Sequence, residues 1–380
     1  MPAESKKRIL IFSLAYHPFV GGAEVAVKEI TKRLGGDFEF DMLTVNLDGR
    51  QPAEEQDFNG INRVYRLGRG RLDKYLFPWL AYKKATELQQ QNGYDLIWAM
   101  MANQAGWAAM KFKRRFPQIP YLLTLQEGDS EWDIWLKTWF IRPIYKAIYR
   151  RADQIQAISN FLVGRAKKLG AKCPIKVVPN GVRNEWLSRC DYDQLKQLRN
   201  SKIIITASRL EKKNGVEYLI RAMENIDGKL LIIGDGSIRE ELEKITEELN
   251  LKNKIEFIGL IDNLKVYNYL MRSNVFCRPS LSEGLGNSFL EAMGVYVPIV
   301  GTLVGGIPDF LKDGETGWFC EVKNPKSIAE KINYILSEKN KVEVERVVEN
   351  AQKLVTEKYN WNKIVGEMKN IFNKLANGQE

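Results

Sequence analysis

The stretch Pro279-Ser-Leu-Ser-Glu283-Gly284-Leu285-Gly286-Asn287-Ser288-Phe289-Leu290-Glu291-Ala292 decides the fold. It follows a short apolar run at residues 275–277 that is typical of a buried strand, and a helix-forming run begins near Asn287. Glycines at such a junction let backbone N–H groups converge on one point, beside the positive end of the helix dipole. The pattern predicts a phosphate site that needs no lysine. A plain strand-to-helix turn, with its glutamates capping the helix and facing solvent, remains the alternative.

Two glutamates, Glu283 and Glu291, flank these glycines. Carboxylates beside a phosphate repel it, so we expect both to hold neighbouring hydroxyl groups instead. A sugar nucleotide offers that combination, with a diphosphate in the middle and hydroxyls at both ends.

A second loop, residues 206–215, also follows an apolar strand and carries Arg209 and Lys213. Ligands of doubly wound folds bind at the carboxyl edge of the sheet, where these two cations would lie. There they could neutralise a diphosphate leaving group. A solvated, charged loop is the simpler interpretation of the same residues.

Two further glycine pairs are weaker signals. Gly21 and Gly22 precede a helical pattern in the first loop and would allow a ligand close approach, although such a pair is more often a turn. Gly234-Asp235-Gly236 lacks the third glycine of a dinucleotide fingerprint, so a nicotinamide oxidoreductase is poorly supported.

Short apolar runs alternate with helical segments along all 380 residues, which predicts parallel sheets covered on both faces. We expect two doubly wound domains with a cleft between them, at residues 1–183 and 184–358, and a final helical segment at 359–380. The predicted strands cover residues 8–14, 38–45, 95–100, 120–125, 154–158, 202–207, 229–233, 255–258, 275–277 and 298–300.

Composition narrows the class of protein. The chain is 44% hydrophobic and 27% charged, as in globular proteins, and no apolar run approaches the roughly 20 residues of a membrane span. Its only histidine, His17, excludes zinc sites built on several histidines. Four separated cysteines and the lack of an apolar signal core favour a reduced, cytoplasmic protein.

Positive charge is concentrated in the first half. Residues 1–190 carry 30 basic and 19 acidic residues, a net charge of +11, whereas the remainder carries −1. This asymmetry favours an anionic partner. Tryptophans 132, 135 and 139 would share one helical face, followed by Arg142 and Lys146, which suits a membrane interface or a core helix with one solvated side. No nucleic-acid-binding signature accompanies them.

Taken together and in order, these motifs resemble glycosyltransferase family 4, retaining enzymes of the GT-B fold. The pair Glu283 and Glu291 is similar to the family's most diagnostic motif. The remaining matches are Gly21-Gly22-Ala23-Glu24, Val178-Pro179-Asn180-Gly181-Val182, Ser208-Arg209-Leu210 with Gly215, Gly234-Asp235-Gly236, Phe257-Ile258-Gly259, Val304-Gly305-Gly306-Ile307-Pro308 and Asp313-Gly314-Glu315-Thr316-Gly317.

The resemblance implies a role for each matching position. Gly21 and Gly22 would bring backbone N–H groups to the donor diphosphate, and Arg209 with a nearby lysine would stabilise the diphosphate as it leaves. Glu283 would hold the transferred sugar and Glu291 the ribose. The donor pocket would be lined by Gly284, Leu285, Gly286, Asn287 and Ser288. Such enzymes generally need no metal ion, and we expect no cofactor.

The chain departs from the family pattern at two positions. Asn214 stands where the family usually has lysine, which makes Lys213 the candidate for that role. Gln126 aligns with a frequent histidine; glutamine can hydrogen-bond a sugar but cannot act as a base. Glu127 and Asp129 are therefore the acceptor-side candidates for a base.

The sequence thus predicts a retaining hexosyltransferase that uses a nucleotide-diphosphate sugar and a hydroxyl acceptor. The expected acceptor is a lipid-linked or cell-envelope glycan, reached from the cytoplasm or peripherally at the inner face of the membrane. A GT-B epimerase or phosphorylase, or a non-catalytic sugar-nucleotide-binding protein, is the alternative.

Overall fold

The computed structural model describes residues 6–19, 21–56, 60–183, 192–199 and 201–378, with Asn263 described by its backbone only. Cys190 lies outside the described residues. The chain forms two compact units. Unit 1 comprises Met1–Glu127, Glu131–Asn180 and Trp361–Glu380, and unit 2 comprises Gly128–Ser130 and Gly181–Asn360.

Unit 1 contains an eight-stranded sheet with the order β3-β4-β2-β1-β5-β6-β7-β8. All neighbouring strands are parallel except the short edge pair β3–β4. The strands are β1 (Lys7–Phe12), β2 (Phe38–Val45), β3 (Glu54–Glu55), β4 (Arg63–Leu67), β5 (Leu96–Met100), β6 (Tyr121–Leu125), β7 (Gln154–Ala157) and β8 (Ile175–Val177).

Helices cover both faces of this sheet, which is why its central strands are apolar along their whole length. The helices are α1 (Gly22–Leu34), α2 (Phe77–Asn92), α3 (Gln104–Arg115), α4 (Glu131–Thr138), α5 (Arg142–Arg150), α6 (Asn160–Lys168) and the C-terminal helix, named α14 below (Trp361–Ala376). The C-terminal helix packs on α1 and buries Trp361 and Phe372 in the core that also holds Trp98.

Unit 2 contains a six-stranded parallel sheet with the order β11-β10-β9-β12-β13-β14. Its strands are β9 (Ile203–Ala207), β10 (Lys229–Ile233), β11 (Ile255–Gly259), β12 (Val275–Arg278), β13 (Ile299–Thr302) and β14 (Trp318–Cys320). Its helices are α7 (Tyr192–Leu198), α8 (Val216–Ala222), α9 (Arg239–Glu248), α10 (Asn263–Met271), α11 (Asn287–Gly294), α12 (Pro325–Leu336) and α13 (Lys341–Lys358).

The ten predicted strands are confirmed, each within two residues at either end. The structure adds β3, β4, β8 and β14, which are short or interrupted by charged residues and so lack a clear apolar pattern. The predicted limits at residues 183 and 358 stay predictions; the two units themselves divide at Asn180 and Asn360.

The aromatic stretch departs from its prediction. Helix α4 ends at Thr138 and a 3-10 turn covers Trp139–Ile141, so the three tryptophans do not share one continuous helical face. No residue of α4 is buried, which excludes the core-helix interpretation. Among the described residues, no helix has the length and apolar character needed to cross a membrane.

Candidate active site

The candidate site in unit 2 lies where β9 and β12 end. These strands are parallel neighbours, so the loops that follow them leave the same edge of the sheet side by side. Leu281 N donates a hydrogen bond to Lys213 O at 2.6 Å and ties one loop to the other. The sequence-predicted residues of the two loops are therefore brought together.

Arg278, the last residue of β12, occupies the centre of this edge and is only 6% exposed. Its Nη2 donates to Glu283 Oε2 at 2.5 Å, and its Nη1 donates to Ser288 Oγ at 2.8 Å. The guanidinium carbon lies 4.8 Å from the centroid of the Phe289 ring. One buried cation thus joins the strand, the glycine loop and the start of α11.

Glu283 is fixed at both its carboxylate and its backbone. Besides Arg278, its Oε1 accepts a hydrogen bond from Gly284 N at 2.9 Å, and its carbonyl accepts one from Gly306 N at 3.1 Å. Its side chain is 17% exposed, so ligand access to the carboxylate is limited but not abolished. Because a carboxylate held by a buried arginine is costly to leave unpaired, the pair stabilises this loop conformation.

Gly286 immediately precedes α11, in a conformation that requires glycine. Its φ is +94°, and a Cβ built there would lie 2.8 Å from both Arg278 Nη2 and Phe289 Cδ2. Asn287 is the first residue of the helix, Ser288 Oγ donates to Ala207 O at 2.9 Å, and Leu285 is buried. No side chain caps the helix, and the positive end of its dipole lies at this loop.

Glu291 lies in the second turn of α11 and differs electrostatically from Glu283. Burial raises its pKa to about 7, and the charges of Arg183 and Arg278 oppose that rise without cancelling it. Among the described residues, no lysine or arginine lies within 4.0 Å of its carboxylate. Glu291 can therefore donate or accept a hydrogen bond near neutral pH.

The two predicted cations of the neighbouring loop are in different states. The Arg209 side chain is 71% exposed, with Nη1 3.8 Å from Glu211 Oε1. Lys213 Nζ instead donates to Asp129 Oδ1 at 2.8 Å and lies 3.6 Å from Glu211 Oε2. Lys213 and Asp129 neutralise each other in this structure, whereas Arg209 faces solvent.

The motif Gly234-Asp235-Gly236 has a packing explanation. A Cβ on Gly234, at φ +126°, would lie 1.9 Å from Ser208 O, and Leu210 N donates to Asp235 O at 3.0 Å. The glycine lets the loop after β10 lie directly on the loop that carries Arg209.

In unit 1, Gly21 precedes the first turn of α1 in extended conformation, with no side-chain cap. Gln126 and Asn180 exchange side-chain hydrogen bonds at 3.3 and 3.2 Å. Glu127 accepts from Ala102 N at 2.5 Å, and burial raises its pKa. Its Oε2 is buried without a hydrogen-bond partner in the described part of the chain.

Sequence reasoning missed two residues of these sites, Arg278 and Asn180. An arginine at the end of the otherwise apolar β12 was the available signal, because a charged residue in a buried strand needs a partner. Asn180 offered only its place beside Gly181 in a turn motif. Within the described residues, no group of three or more His, Cys, Asp or Glu side chains is placed to hold a metal ion.

Comparison with known proteins identifies the family. Residues 20–186 match the family model described as Glycosyltransferase Family 4, and residues 191–354 match the model described as Glycosyl transferases group 1. Together the two matches cover most of the chain. The protein belongs to glycosyltransferase family 4. The predicted class of enzyme, a glycosyltransferase, is confirmed.

Two of the relatives span almost the whole length of this glycosyltransferase. An uncharacterized glycosyltransferase of Methanocaldococcus jannaschii, MJ1178, is 28% identical over 95% of this chain and 97% of its own. The N-acetyl-alpha-D-glucosaminyl L-malate synthase of Bacillus anthracis is 25% identical over 96% of each chain. WcaL of Escherichia coli, a putative colanic acid biosynthesis glycosyltransferase, is 26% identical over 61% of this chain and 59% of its own.

Solved structures establish the fold of the glycosyltransferase. The sucrose-phosphate synthase of Thermosynechococcus elongatus has a TM-score of 0.86 at 22% identity and covers 98% of this chain and 100% of its own. Anabaena HepE, solved with UDP-glucose, has a TM-score of 0.76 at 19% identity and covers 97% and 99%. The predicted GT-B fold class, two α/β domains with parallel sheets, is confirmed.

Proposed function

We propose that this glycosyltransferase moves a hexose from a nucleotide-diphosphate sugar to a hydroxyl acceptor, with retention of the anomeric configuration and without a metal ion or other cofactor. One observation carries the proposal. At a single edge of the unit 2 sheet, the exposed Arg209 and the uncapped start of α11 lie on loops tied to that of Glu283. Positive charge suited to a diphosphate thus accompanies an acidic group suited to sugar hydroxyls.

The roles of the unit 2 residues follow from their surroundings. Arg209 would bind the diphosphate, because its guanidinium is exposed and a bidentate donor. Glu283 would bind the sugar through the face that Arg278 leaves open. Glu291, with its pKa raised to about 7, would hold the ribose hydroxyls from the second turn of α11. Backbone N–H groups of residues 284–288 would line the donor pocket.

Lys213 would bind the diphosphate only after leaving Asp129, since the two side chains form an ion pair at 2.8 Å. In unit 1, Gly21 and Gly22 would present the N–H groups of the first turn of α1 to a donor diphosphate. Gln126, held by Asn180, would hydrogen-bond a sugar, and Glu127 or Asp129 would take the acceptor proton. Because burial raises its pKa, the carboxylate of Glu127 is a stronger base than that of an ordinary glutamate.

The comparisons support a nucleotide-sugar donor. HepE, of the same fold, was solved with UDP-glucose, and the Bacillus anthracis relative is named for a glucosaminyl product. For the acceptor we propose a lipid-linked or cell-envelope glycan, used at the cytoplasmic face of the membrane. The name of WcaL and the +11 charge of residues 1–190 support this part.

The test is a thermal-shift screen of nucleotides and nucleotide sugars, since a ligand that binds the folded state raises its stability. The donors that bind are then incubated with and without EDTA, and the anomeric configuration of the product is read by proton NMR. We expect donor consumption, an unchanged rate in EDTA and a retained configuration.

Other outcomes separate the alternatives. Binding without donor hydrolysis or transfer indicates a non-catalytic sugar-nucleotide protein, and an isomerised donor indicates an epimerase. An inverted product would overturn the retaining mechanism, and loss of activity in EDTA would overturn metal independence. The matched control is Glu224→Gln, an exposed glutamate in the 3-10 turn Met223–Asn225 that precedes β10 at the opposite edge of the same sheet.

A further inference from the structure

Large apolar side chains are exposed in two short segments of unit 1. Leu72 is 79% exposed and Leu76 55%, and in the second segment Trp139 is 64% and Phe140 66% exposed. We define the aromatic surface by the residues Leu72, Tyr75, Leu76, Trp79, Leu80, Trp132, Trp135, Leu136, Trp139 and Phe140, each exposed by more than a third of its area. Single exposed hydrophobic residues are ordinary on protein surfaces, but ten of them concentrated in two segments indicate an interaction surface.

The topology places both segments at one edge of one sheet. Residues 71–80 follow β4 and lead into α2, whereas residues 132–140 follow β6 and lead into α5. Because β4 and β6 run in the same direction in the sheet of unit 1, both segments start at the carboxyl edge of that sheet. Helix α2 packs on α3, and α3 packs on α5, so both segments lie on the same face as well. Rings of Trp79 and Trp107, 4.9 Å apart, join the first segment to α3.

Cations are interleaved with the aromatic rings of this surface. Lys74 Nζ lies 5.0 Å from the ring centroid of Tyr75, and Lys111 Nζ lies 5.3 Å from that of Trp79. Residues 69–83 carry four basic side chains and one acidic side chain. Residues 131–142 carry two acidic and two basic side chains, so the net positive charge of this surface comes from the first segment.

A cavity of about 320 Å³ opens beside the second segment. Its lining includes apolar side chains, three cations and one carboxylate: Ile134, Trp135, Leu169, Arg142, Arg165, Lys168 and Glu131. Lys168 pairs with Glu131 at 2.9 Å, and Arg165 Nη1 donates to Glu127 O at 3.4 Å, so we assign Arg142 to an anionic group. Apolar walls beside a cation suit a phosphate with a hydrocarbon chain attached.

We propose that the aromatic surface docks unit 1 on a membrane that contains anionic phospholipid. Tryptophan and tyrosine are favoured at the level of lipid headgroups, where the ring is half in hydrocarbon and its polar atom in water. Leucines and Phe140 enter the acyl region, and the lysines and arginines bind lipid phosphates. The net positive charge of the first segment favours anionic lipid over a protein partner as the occupant. The inference does not depend on the proposed glycosyl transfer.

The test is flotation of the full-length protein with vesicles of phosphatidylcholine and phosphatidylglycerol in a two-to-one ratio. We expect binding at low ionic strength that weakens in high salt and on vesicles of phosphatidylcholine alone. Two double variants probe the segments separately: Leu72→Ser with Leu76→Ser, and Trp139→Ser with Phe140→Ser. Each should lower the vesicle partition coefficient on the order of tenfold or more, because two buried apolar side chains are lost. Leu260→Ser, at a residue of unit 2 that is 83% exposed, is the control and should bind unchanged.

A second measurement does not depend on variant folding. Brominated phospholipids in the same vesicles should quench the tryptophan fluorescence of the unchanged protein. Failure of the unchanged protein to float with anionic vesicles would overturn the proposal. Binding of both double variants as strong as that of the unchanged protein would also overturn it. A lipid-free dimer that the double variants convert to monomer would assign the surface to contact between two copies of this chain instead.

Discussion

The two glutamates of the glycine motif, eight positions apart in one unit, have different electrostatic environments. Glu283 stands in the loop and is paired with Arg278 at 2.5 Å. Glu291 stands in α11, where burial raises its pKa to about 7 although the charges of Arg183 and Arg278 oppose the rise. Two glutamates of one motif thus have different surroundings.

The difference teaches that the contacts made on folding, rather than the motif, set the surroundings of each carboxyl group. Arg278 donates a charge-assisted hydrogen bond directly to Glu283. Glu291 receives only longer-range compensation from Arg183 and Arg278. Four substitutions would break or sharpen this contrast.

The largest effect is expected for Glu283→Gln. The amide can still accept from Arg278, but it loses the charge that we assign to binding the sugar in the transition state. Turnover should fall on the order of 100-fold or more, as when one preorganised polar group is removed from a transition state. Steady-state kinetics with the donor found in the screen measures this. Turnover equal to that of the Glu224→Gln control would contradict the assignment of Glu283.

Arg278→Met should have the next largest effect. It removes the cation that positions Glu283 and leaves the carboxylate partly buried without it, which costs roughly 3 kcal/mol. Turnover should fall on the order of tenfold while the donor KM changes less, because we assign Arg278 to positioning Glu283 rather than to binding the donor.

Rescue experiments distinguish whether Arg278 positions Glu283 or only stabilises the folded protein. Arg278→Lys should restore part of the turnover, and free guanidinium ion should raise the turnover of the smaller variant Arg278→Ala. A purely structural role predicts that turnover follows the folded fraction measured by circular dichroism, with no response to guanidinium at concentrations that do not unfold the protein.

Gly286→Ala should affect stability more than its matched control, Gly314→Ala. Both glycines have positive φ, at +94° and +68°, so each alanine costs about 1 kcal/mol of backbone strain. Only at Gly286 would the new Cβ also meet Arg278 and Phe289, whereas nothing lies within 4 Å of it at Gly314. In urea unfolding, Gly286→Ala should lower the free energy of unfolding at least twice as much as Gly314→Ala. Equal losses of unfolding free energy would contradict the tight packing at Gly286.

Glu291→Gln should have the smallest effect, visible in the pH dependence of thermal stability. The folded-state pKa of about 7 exceeds the ordinary value of 4.5, so the folded protein holds the proton more tightly. Its contribution to stability is therefore complete below about pH 4.5 and is lost as the pH rises through about 7. Melting temperatures of variant and wild type should agree near pH 5, and the variant should melt roughly a few degrees higher near pH 8. A difference that is the same at both pH values would contradict the raised pKa.

Local sequence patterns were sufficient to predict the longer strands and to locate most of the unit 2 loops. Glu283, Arg209 and residues 284–288 were recognisable because each follows an apolar strand and the glycines mark the turn. Arg278 was not assigned a role, because its value depends on Glu283, Ser288 and Ala207 converging around it. The Lys213–Asp129 ion pair joins residues 84 positions apart, and no local pattern reports such a contact.

The sequence by itself determined the glycine-bounded strand-to-helix junctions, the two parallel sheets and the excess of positive charge in the first half. These depend on neighbours in the chain, on alternating apolar runs and on composition. Tertiary structure alone decided that Arg278 pairs with Glu283 while burial raises the pKa of Glu291, and that two separated segments expose their aromatic residues at one sheet edge. The physical reason is that protonation and solvent exposure depend on atoms brought close by folding, whatever their separation along the chain.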